Sequence, residues 1–262
     1  MSQSILDQPE VLRVLFHPRR EYPSGAPRPG ILPVHFAAEP GLHVGGRLYP
    51  AGPRAPAILY FHGNGEIAAD YDGIAPLYTG LGITLLVADY RGYGTSGGRP
   101  TSSHLLADAL HIFQDLDDVL AGHNLAPVRQ YVMGRSLGSA AAIEVARHAS
   151  NQPAANRLAG LILESGFTGT FALLARLGLQ VQGAGEARDG FRNAAKMAQI
   201  QIPTLVIHGR NDVLIPASDG QELHRRSAAA DKRLVLIPGA GHNDLLWVGR
   251  AAYLEAIQEL VT

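Results

Sequence analysis

Short, almost unbroken apolar runs alternate along the chain with longer segments whose apolar residues recur at helical spacing. This is the pattern of strands buried on both faces and joined by crossover helices. Eight runs read as strands: ILPVHFA (31–37), LHVGGRLY (42–49), AILYFH (57–62), ITLLVAD (83–89), RQYVMG (129–134), LAGLILE (158–164), TLVIHG (204–209) and RLVLIP (233–238). A Glu-Pro-Gly turn separates the first two, so they are expected to form an antiparallel hairpin. Helices are expected only after the third strand, at about 67–80, 102–121, 137–149, 217–229 and 244–260. Thr101 or Ser102 can cap the second of these, and Asn243 or Asp244 the last. The alternation predicts an α/β fold with an eight-stranded, mostly parallel sheet and helices on both faces. Residues 166–200 separate two core strands by more than a usual connection, which predicts a small helical cap on a single domain spanning 1–262. A Pro-rich stretch (18–33) precedes and enters the first strand, and there is no internal repeat.

With 262 residues, 46% of them hydrophobic and 17% charged, the chain can bury a large core. A formal charge of -1 lacks the basic excess of a nucleic-acid binder, so no nucleic-acid partner is expected. The absence of cysteine removes disulfides, thiolate metal sites and a Cys nucleophile, and the cytoplasm is the expected location. Asp7, Pro9, Glu10 and Arg13 interrupt the N-terminal apolar residues before a signal-peptide core can form. No apolar run reaches the roughly 20 residues needed to span a bilayer.

The chemistry is carried by YVMGRSLGSAAAIEVARHAS (131–150), where Ser136 sits between Gly134 and Gly138 at the junction of a strand-like and a helix-like run. The G-x-S-x-G pattern occurs twice, since Gly94-Thr-Ser96-Gly-Gly98 also fits. A nucleophile elbow needs a strand directly before the serine and a helix directly after, so that a strained turn lifts the hydroxyl above the sheet. Ser96 is followed by Gly97, Gly98, Arg99 and Pro100, which extend a loop. Only Ser136 satisfies both conditions. The flanking glycines then have a reason, because strand and helix backbones approach too closely there for side chains.

A serine hydroxyl is a weak nucleophile at neutral pH and requires a base, which in turn requires an orienting acid. On a sheet of this kind the acid and then the histidine follow at the ends of later strands. Asp212 follows TLVIHG, and His242 lies in the Gly-rich loop beyond the last strand. Glu164, at a strand end, and Asp219, within a helix, are less well placed acids. The oxyanion requires two donors. The Leu137 N–H, next to the nucleophile, is one; the other comes from the FHGNGE loop after the third strand, where the Asn64 N–H is the first choice and Gly65 the second. His62 reads as a residue that orients this loop.

FHGNGE, DYRGYGTSGG, GRSLGS, ESGF, HGRNDVLIP and GAGHND, in this order, resemble the serial motifs of the α/β-hydrolase superfamily from about residue 30 to the C-terminus. The chain looks most like the short-cap serine hydrolases, a group of esterases, lipase-like enzymes and acyl-thioesterases. The resemblance implies Ser136 as nucleophile, His242 as base, Asp212 as orienting acid, the Asn64 and Leu137 amides as oxyanion hole, and a small-molecule acyl ester as substrate. Thioester and amide cleavage are the alternatives. Dehalogenases and epoxide hydrolases of this fold use Asp at the elbow and dienelactone hydrolases use Cys, against which Ser136 argues.

Two readings from other classes compete. Gly92-Tyr-Gly94-Thr-Ser-Gly97 matches the G-x-G-x-x-G of NAD-binding oxidoreductases, but Pro100 and a cap at Thr101 would delay the helix that should begin at the third glycine. A non-catalytic ligand-binding protein of the same fold is the other, and it would be expected to have lost a chemical member. No metal or organic cofactor is expected, since metal-binding spacings are absent and neither Lys196 nor Lys232 follows glycine as in a P-loop. Phe167, Phe171 and Leu174 recur at helical spacing, and are expected either to line an acyl slot or to pack the cap on the core.

Overall fold

The computed structural model describes residues 4–22, 29–152 and 158–261, so part of the Pro-rich stretch (23–28) lies outside the described residues. All eight expected strands form, as β1 (Leu32–Glu39), β2 (Leu42–Tyr49), β3 (Ala57–Phe61), β4 (Thr84–Ala88), β5 (Gln130–Arg135), β6 (Leu158–Glu164), β7 (Thr204–Gly209) and β8 (Lys232–Ile237). They make one sheet in the order β1-β2-β4-β3-β5-β6-β7-β8, in which β1 and β2 pair as an antiparallel hairpin, β2 meets β4 antiparallel, and every later pairing is parallel. Burial follows position. The edge strand β1 alternates exposed and buried residues, whereas every residue of β3, β4, β5 and β7 is buried, as strands covered on both faces must be.

The helices are α1 (Pro9–Leu15), α2 (Ala75–Thr79), α3 (Ser102–Gly122), α4 (Gly138–Ser150), α5 (Thr170–Arg176), α6 (Glu186–Asp189), α7 (Asn193–Met197), α8 (Ala217–Arg226), α9 (Leu245–Val248) and α10 (Arg250–Val261). Thr101 caps α3, its Oγ1 accepting the His104 N–H at 3.0 Å. Two expected helices are broken. The first is a 3-10 turn (Ala68–Gly73) followed by α2, because Pro76 in the first turn of α2 has no N–H with which to continue a preceding helix. The C-terminal one divides at Gly249, where a Cβ would run into the Ile237 side chain. Its expected side-chain cap is also absent: Asp244 Oδ1 accepts the Gly241 N–H at 2.7 Å instead and ties the glycine loop to itself.

The helix α1 is not among the expected helices, yet Val11, Leu15 and the following Phe16 are buried and pack into the main core. The segment that follows lies across the loops at the strand ends. Arg19 pairs with Asp70, Arg20 with the Ser96 carbonyl, and the Glu21 N–H with the Gly94 carbonyl at 3.0 Å. Between β6 and β7, the short helices α5, α6 and α7 are gathered by Glu186, whose carboxylate accepts the N–H groups of Thr170 (2.7 Å), Phe171 (3.3 Å) and Arg192 (2.8 Å). Among the described residues, no helix is long and apolar enough to cross a membrane.

Candidate active site

At the junction of β5 and α4, Ser136 has a φ of +51°, a left-handed conformation that costs a non-glycine residue about 1–2 kcal/mol. Packing on every side sustains the turn. A Cβ at Gly134 would overlap the Gly138 backbone, and a Cβ at Gly138 would overlap the carbonyl oxygens of Phe61 and His62, so α4 can approach β3 and β5 this closely only with glycine at both positions. The Ser136 N–H is anchored to the Glu164 carbonyl at 2.9 Å. Gly138→Ala is therefore expected to destabilise the fold by on the order of 3 kcal/mol, measured as a lower urea midpoint at unchanged slope; a variant as stable as the parent would refute this account of the elbow.

The turn presents Ser136 to two residues far along the chain. His242 Nε2 lies 2.9 Å from Ser136 Oγ, and His242 Nδ1 lies 2.7 Å from Asp212 Oδ2. A carboxylate only accepts, so Nδ1 carries the proton and Nε2 is left to accept from the serine hydroxyl. Asp212 is itself fixed. Its Oδ1 accepts the N–H groups of Leu214 (2.9 Å) and Ile215 (2.8 Å), which reserves Oδ2 for the imidazole. His208 adds a second ring. Its Nε2 is 2.8 Å from the Ile215 carbonyl and 3.3 Å from Asp212 Oδ2. Burial by itself would raise the Asp212 carboxyl, but hydrogen bonds from His208, His242 and the Ile215 amide outweigh it and hold the group well below the usual carboxylate range.

The competing acids are engaged elsewhere: Glu164 with Arg135, Tyr60 and Tyr253, and Asp219 with Thr168 and Arg176. Ser96 is fully buried in its loop, where its Oγ accepts the Gly45 N–H at 2.9 Å.

In the loop after β3, the Asn64 side chain is turned toward the N-terminal segment. Its Oδ1 accepts from the His17 N–H (2.8 Å) and the Tyr93 hydroxyl (2.7 Å), and its Nδ2 donates to His17 Nδ1 (2.8 Å). Among the described residues the backbone N–H groups of Asn64, Gly65 and Leu137 have no hydrogen-bond partner. His62 is buried against Tyr90 and Tyr93, with Nδ1 2.9 Å from the Gly63 carbonyl and Nε2 3.2 Å from Asp89. Neither His208 nor His17 is assigned a role by the motifs. The signal for His208 was its position four residues before Asp212; for His17 there was none, because its partners lie 47 and 76 residues away.

Phe167 and Leu174 are wholly buried in the main core, Phe167 packing edge-on to Phe191, whereas Phe171 is half-buried at its margin. Among the described residues no group of three or more His, Asp or Glu side chains could hold a metal ion.

The family described as serine aminopeptidase, S33, matches residues 52–181 and 173–246. An uncharacterized protein of Mycobacterium tuberculosis is 33% identical over 255 residues, covering 92% of this chain and 85% of its own. The human alpha/beta hydrolase domain-containing protein 17B is 30% identical over 209 residues, covering 78% and 66% respectively. Among solved structures, the esterase Pf2001 of Pyrococcus furiosus superposes with a TM-score of 0.73 at 18% identity over 94% of this chain and 96% of its own. The carboxylesterase EstE1, from a metagenomic library, superposes with a TM-score of 0.70 at 19% identity over 91% and 92%. At these identities the two structures share the fold.

Proposed function

The chain belongs to the α/β hydrolases, in the S33 serine aminopeptidase family, and from that premise we propose that it is a serine hydrolase that cleaves carboxylic esters through an acyl-enzyme on Ser136. The observation that carries this reading is the unbroken chain of hydrogen bonds from Ser136 Oγ through the imidazole of His242 to Asp212, at 2.9 and 2.7 Å. Ser136 Oγ attacks the acyl carbonyl as its proton passes to His242 Nε2. The imidazolium then protonates the departing alcohol, and water repeats the sequence to release the acid. Asp212 keeps the proton on Nδ1 and stabilises the imidazolium. The Asn64 and Leu137 amides receive the oxyanion, where each such donor contributes about 10²–10³ in kcat. These steps use only the chain's own residues and water.

A panel of p-nitrophenyl esters of graded acyl length tests the reading: turnover is expected, and a folded protein inert to every chain length would overturn it. The family description names aminopeptidases, which makes amide cleavage the second reading. Aminoacyl p-nitroanilides and acyl thioesters therefore belong in the same panel, and preferential turnover of either would reassign the bond. Phe171 is the side chain we place against the acyl group, since it alone of the three aromatic and aliphatic candidates retains exposure. Phe171→Ala is expected to lower kcat/KM for the longest acyl chain about 10-fold relative to the shortest; an unchanged chain-length profile removes Phe171 from the pocket. The cytoplasmic location we propose rests on the sequence alone.

A further inference from the structure

Arg135 immediately precedes the nucleophile and is only 8% exposed. A guanidinium withdrawn from water must be paired at nearly every N–H. Here the partners come from three separate segments. One terminal nitrogen meets Glu66 in the loop after β3, and Nε lies 3.2 Å from Glu164 Oε1 at the end of β6. The other terminal nitrogen donates to the His242 carbonyl at 3.0 Å and to Asn243 Oδ1 at 2.7 Å. Glu66 continues the path, its second oxygen accepting the Gly63 N–H at 2.7 Å and the Tyr71 hydroxyl at 2.9 Å. Glu164 is held in turn by the hydroxyls of Tyr60 (3.2 Å) and Tyr253 (2.6 Å). An unbroken polar chain therefore runs from the backbone of the turn that contains Asn64, through Glu66 and Arg135, to the backbone of His242.

We propose that Arg135 is a positioning residue that fixes the loop of the general base relative to the oxyanion loop, by holding the His242 carbonyl directly and the Gly63–Asn64 turn through Glu66. The inference rests on the serine-hydrolase reading above. Its physical basis is that both loops are irregular and carry their functional atoms on backbone whose place no helix or strand fixes. The imidazole can turn about its own bonds, but it reaches Ser136 Oγ only if the His242 backbone stays where it is. A displacement of about 1 Å is enough to lower a rate about 10²-fold. A merely structural ion cluster would serve as well or better as apolar residues of the same volume. An arginine offers a fork rigid enough to address a carbonyl, an amide oxygen and two carboxylates at once, which lysine cannot do.

A cavity of about 250 Å³ lies against this cluster, bounded in part by Tyr60, Tyr71, Leu246 and Trp247. The polar groups of Arg135, Glu66 and Glu164 that line it are already satisfied by one another and by the tyrosines, so we read the cavity as the cluster's access to solvent. It gives a small cation a way to replace the missing side chain.

The test compares wild type, Arg135→Ala, Arg135→Lys and Glu66→Gln for ester kcat and KM, for the rate of fluorophosphonate labelling and for urea midpoint. Millimolar guanidinium chloride is added to each, with sodium chloride as control. Arg135→Ala is expected to lose about 10²-fold in kcat with little change in KM, and to regain at least part of that loss with guanidinium ion alone. Arg135→Lys should fall between, and Glu66→Gln, which keeps the guanidinium but weakens its link to the oxyanion turn, should lose about 10-fold in kcat. If Arg135→Ala does not fold, Glu66→Gln decides. Variants that fold and keep kcat within twofold overturn the proposal, as does a loss that guanidinium does not relieve and that follows the fall in urea midpoint across the series. A wild type inert to both ester and fluorophosphonate overturns the serine-hydrolase reading, and this inference with it, and is distinguished by being seen before any substitution is made.

Discussion

Ser136→Ala is expected to lower kcat for p-nitrophenyl esters by roughly 10⁶-fold, leaving only the residual acceleration that oxyanion donors and binding can give. The size of the loss follows from the geometry: among the described residues no other hydroxyl shares the His242 imidazole, and Ser96 is committed to the Gly45 amide in a different loop. The fold should survive. The turn is held by the Ser136 N–H on the Glu164 carbonyl, by the glycine contacts at 134 and 138, and by the Ser139 N–H on the Ser136 carbonyl at 3.0 Å, none of which uses Oγ. What disappears is one hydrogen bond at a site 9% exposed, a change of about 1 kcal/mol in stability. The urea midpoint and the ester rate on the same preparation separate the two effects. His242→Ala should lose nearly as much, and the double variant little more, because the two groups act as one unit.

Asp212→Asn carries the second large effect, a fall of about 10⁴-fold in kcat. An amide in place of the carboxylate can offer its N–H to the ring, which favours the tautomer whose Nε2 already carries a proton and cannot take one from Ser136. The same substitution has a signature in stability. The Asp212 carboxyl of the folded protein lies below its ordinary value, since the hydrogen bonds from His208, His242 and Ile215 outweigh the effect of burial. A group whose pKa is depressed by folding contributes stability that is fully present above the unfolded value of about 3.9 and is lost as pH falls through the lower folded value. Asp212→Asn has no such contribution. The gap in melting temperature between wild type and variant should therefore be widest above about pH 4 and should close as the pH is lowered further. A gap that grows on acidification would contradict the assigned hydrogen-bond pattern.

The sheet was legible because its central strands are buried on both faces, and so appear as apolar runs that turn residues cut cleanly. LHVGGRLY, LAGLILE and TLVIHG coincide with β2, β6 and β7 residue for residue, and the others differ by one or two positions at an end. Helices were less secure where tertiary contact overrides periodicity. Gly249 has no local reason to divide α9 from α10 until Ile237 is seen against it. The helix α1 carried a usable signal in Pro9 at its first position and in Val11 and Leu15 four apart, but seven residues beside charged Glu10 and Arg13 make a weak pattern.

For the candidate site, what was legible is what the strand ends dictate. The elbow, the loop after β3, and the loops after β7 and β8 must all open on one edge of a parallel sheet, so Ser136, Asn64, Asp212 and His242 could be named from their order. Residues that act through partners distant in sequence were not legible. Arg135 looks like a neutral filler of the G-x-S-x-G pattern, and nothing local announces Glu66, 69 residues away, or His242, 107 residues away, as its partners. Similarly, the motif names Asn64 but gives no hint that its side chain is held by His17 while its backbone N–H is left unpaired.

The central claim is that Ser136 is a nucleophile activated by His242. It is tested most directly by incubating the intact protein with a fluorophosphonate and locating the adduct by mass spectrometry. The account predicts one stoichiometric adduct on Ser136, absent from Ser136→Ala and formed far more slowly in His242→Ala. A correctly folded wild type that remains unlabelled, or that is labelled elsewhere, would contradict it.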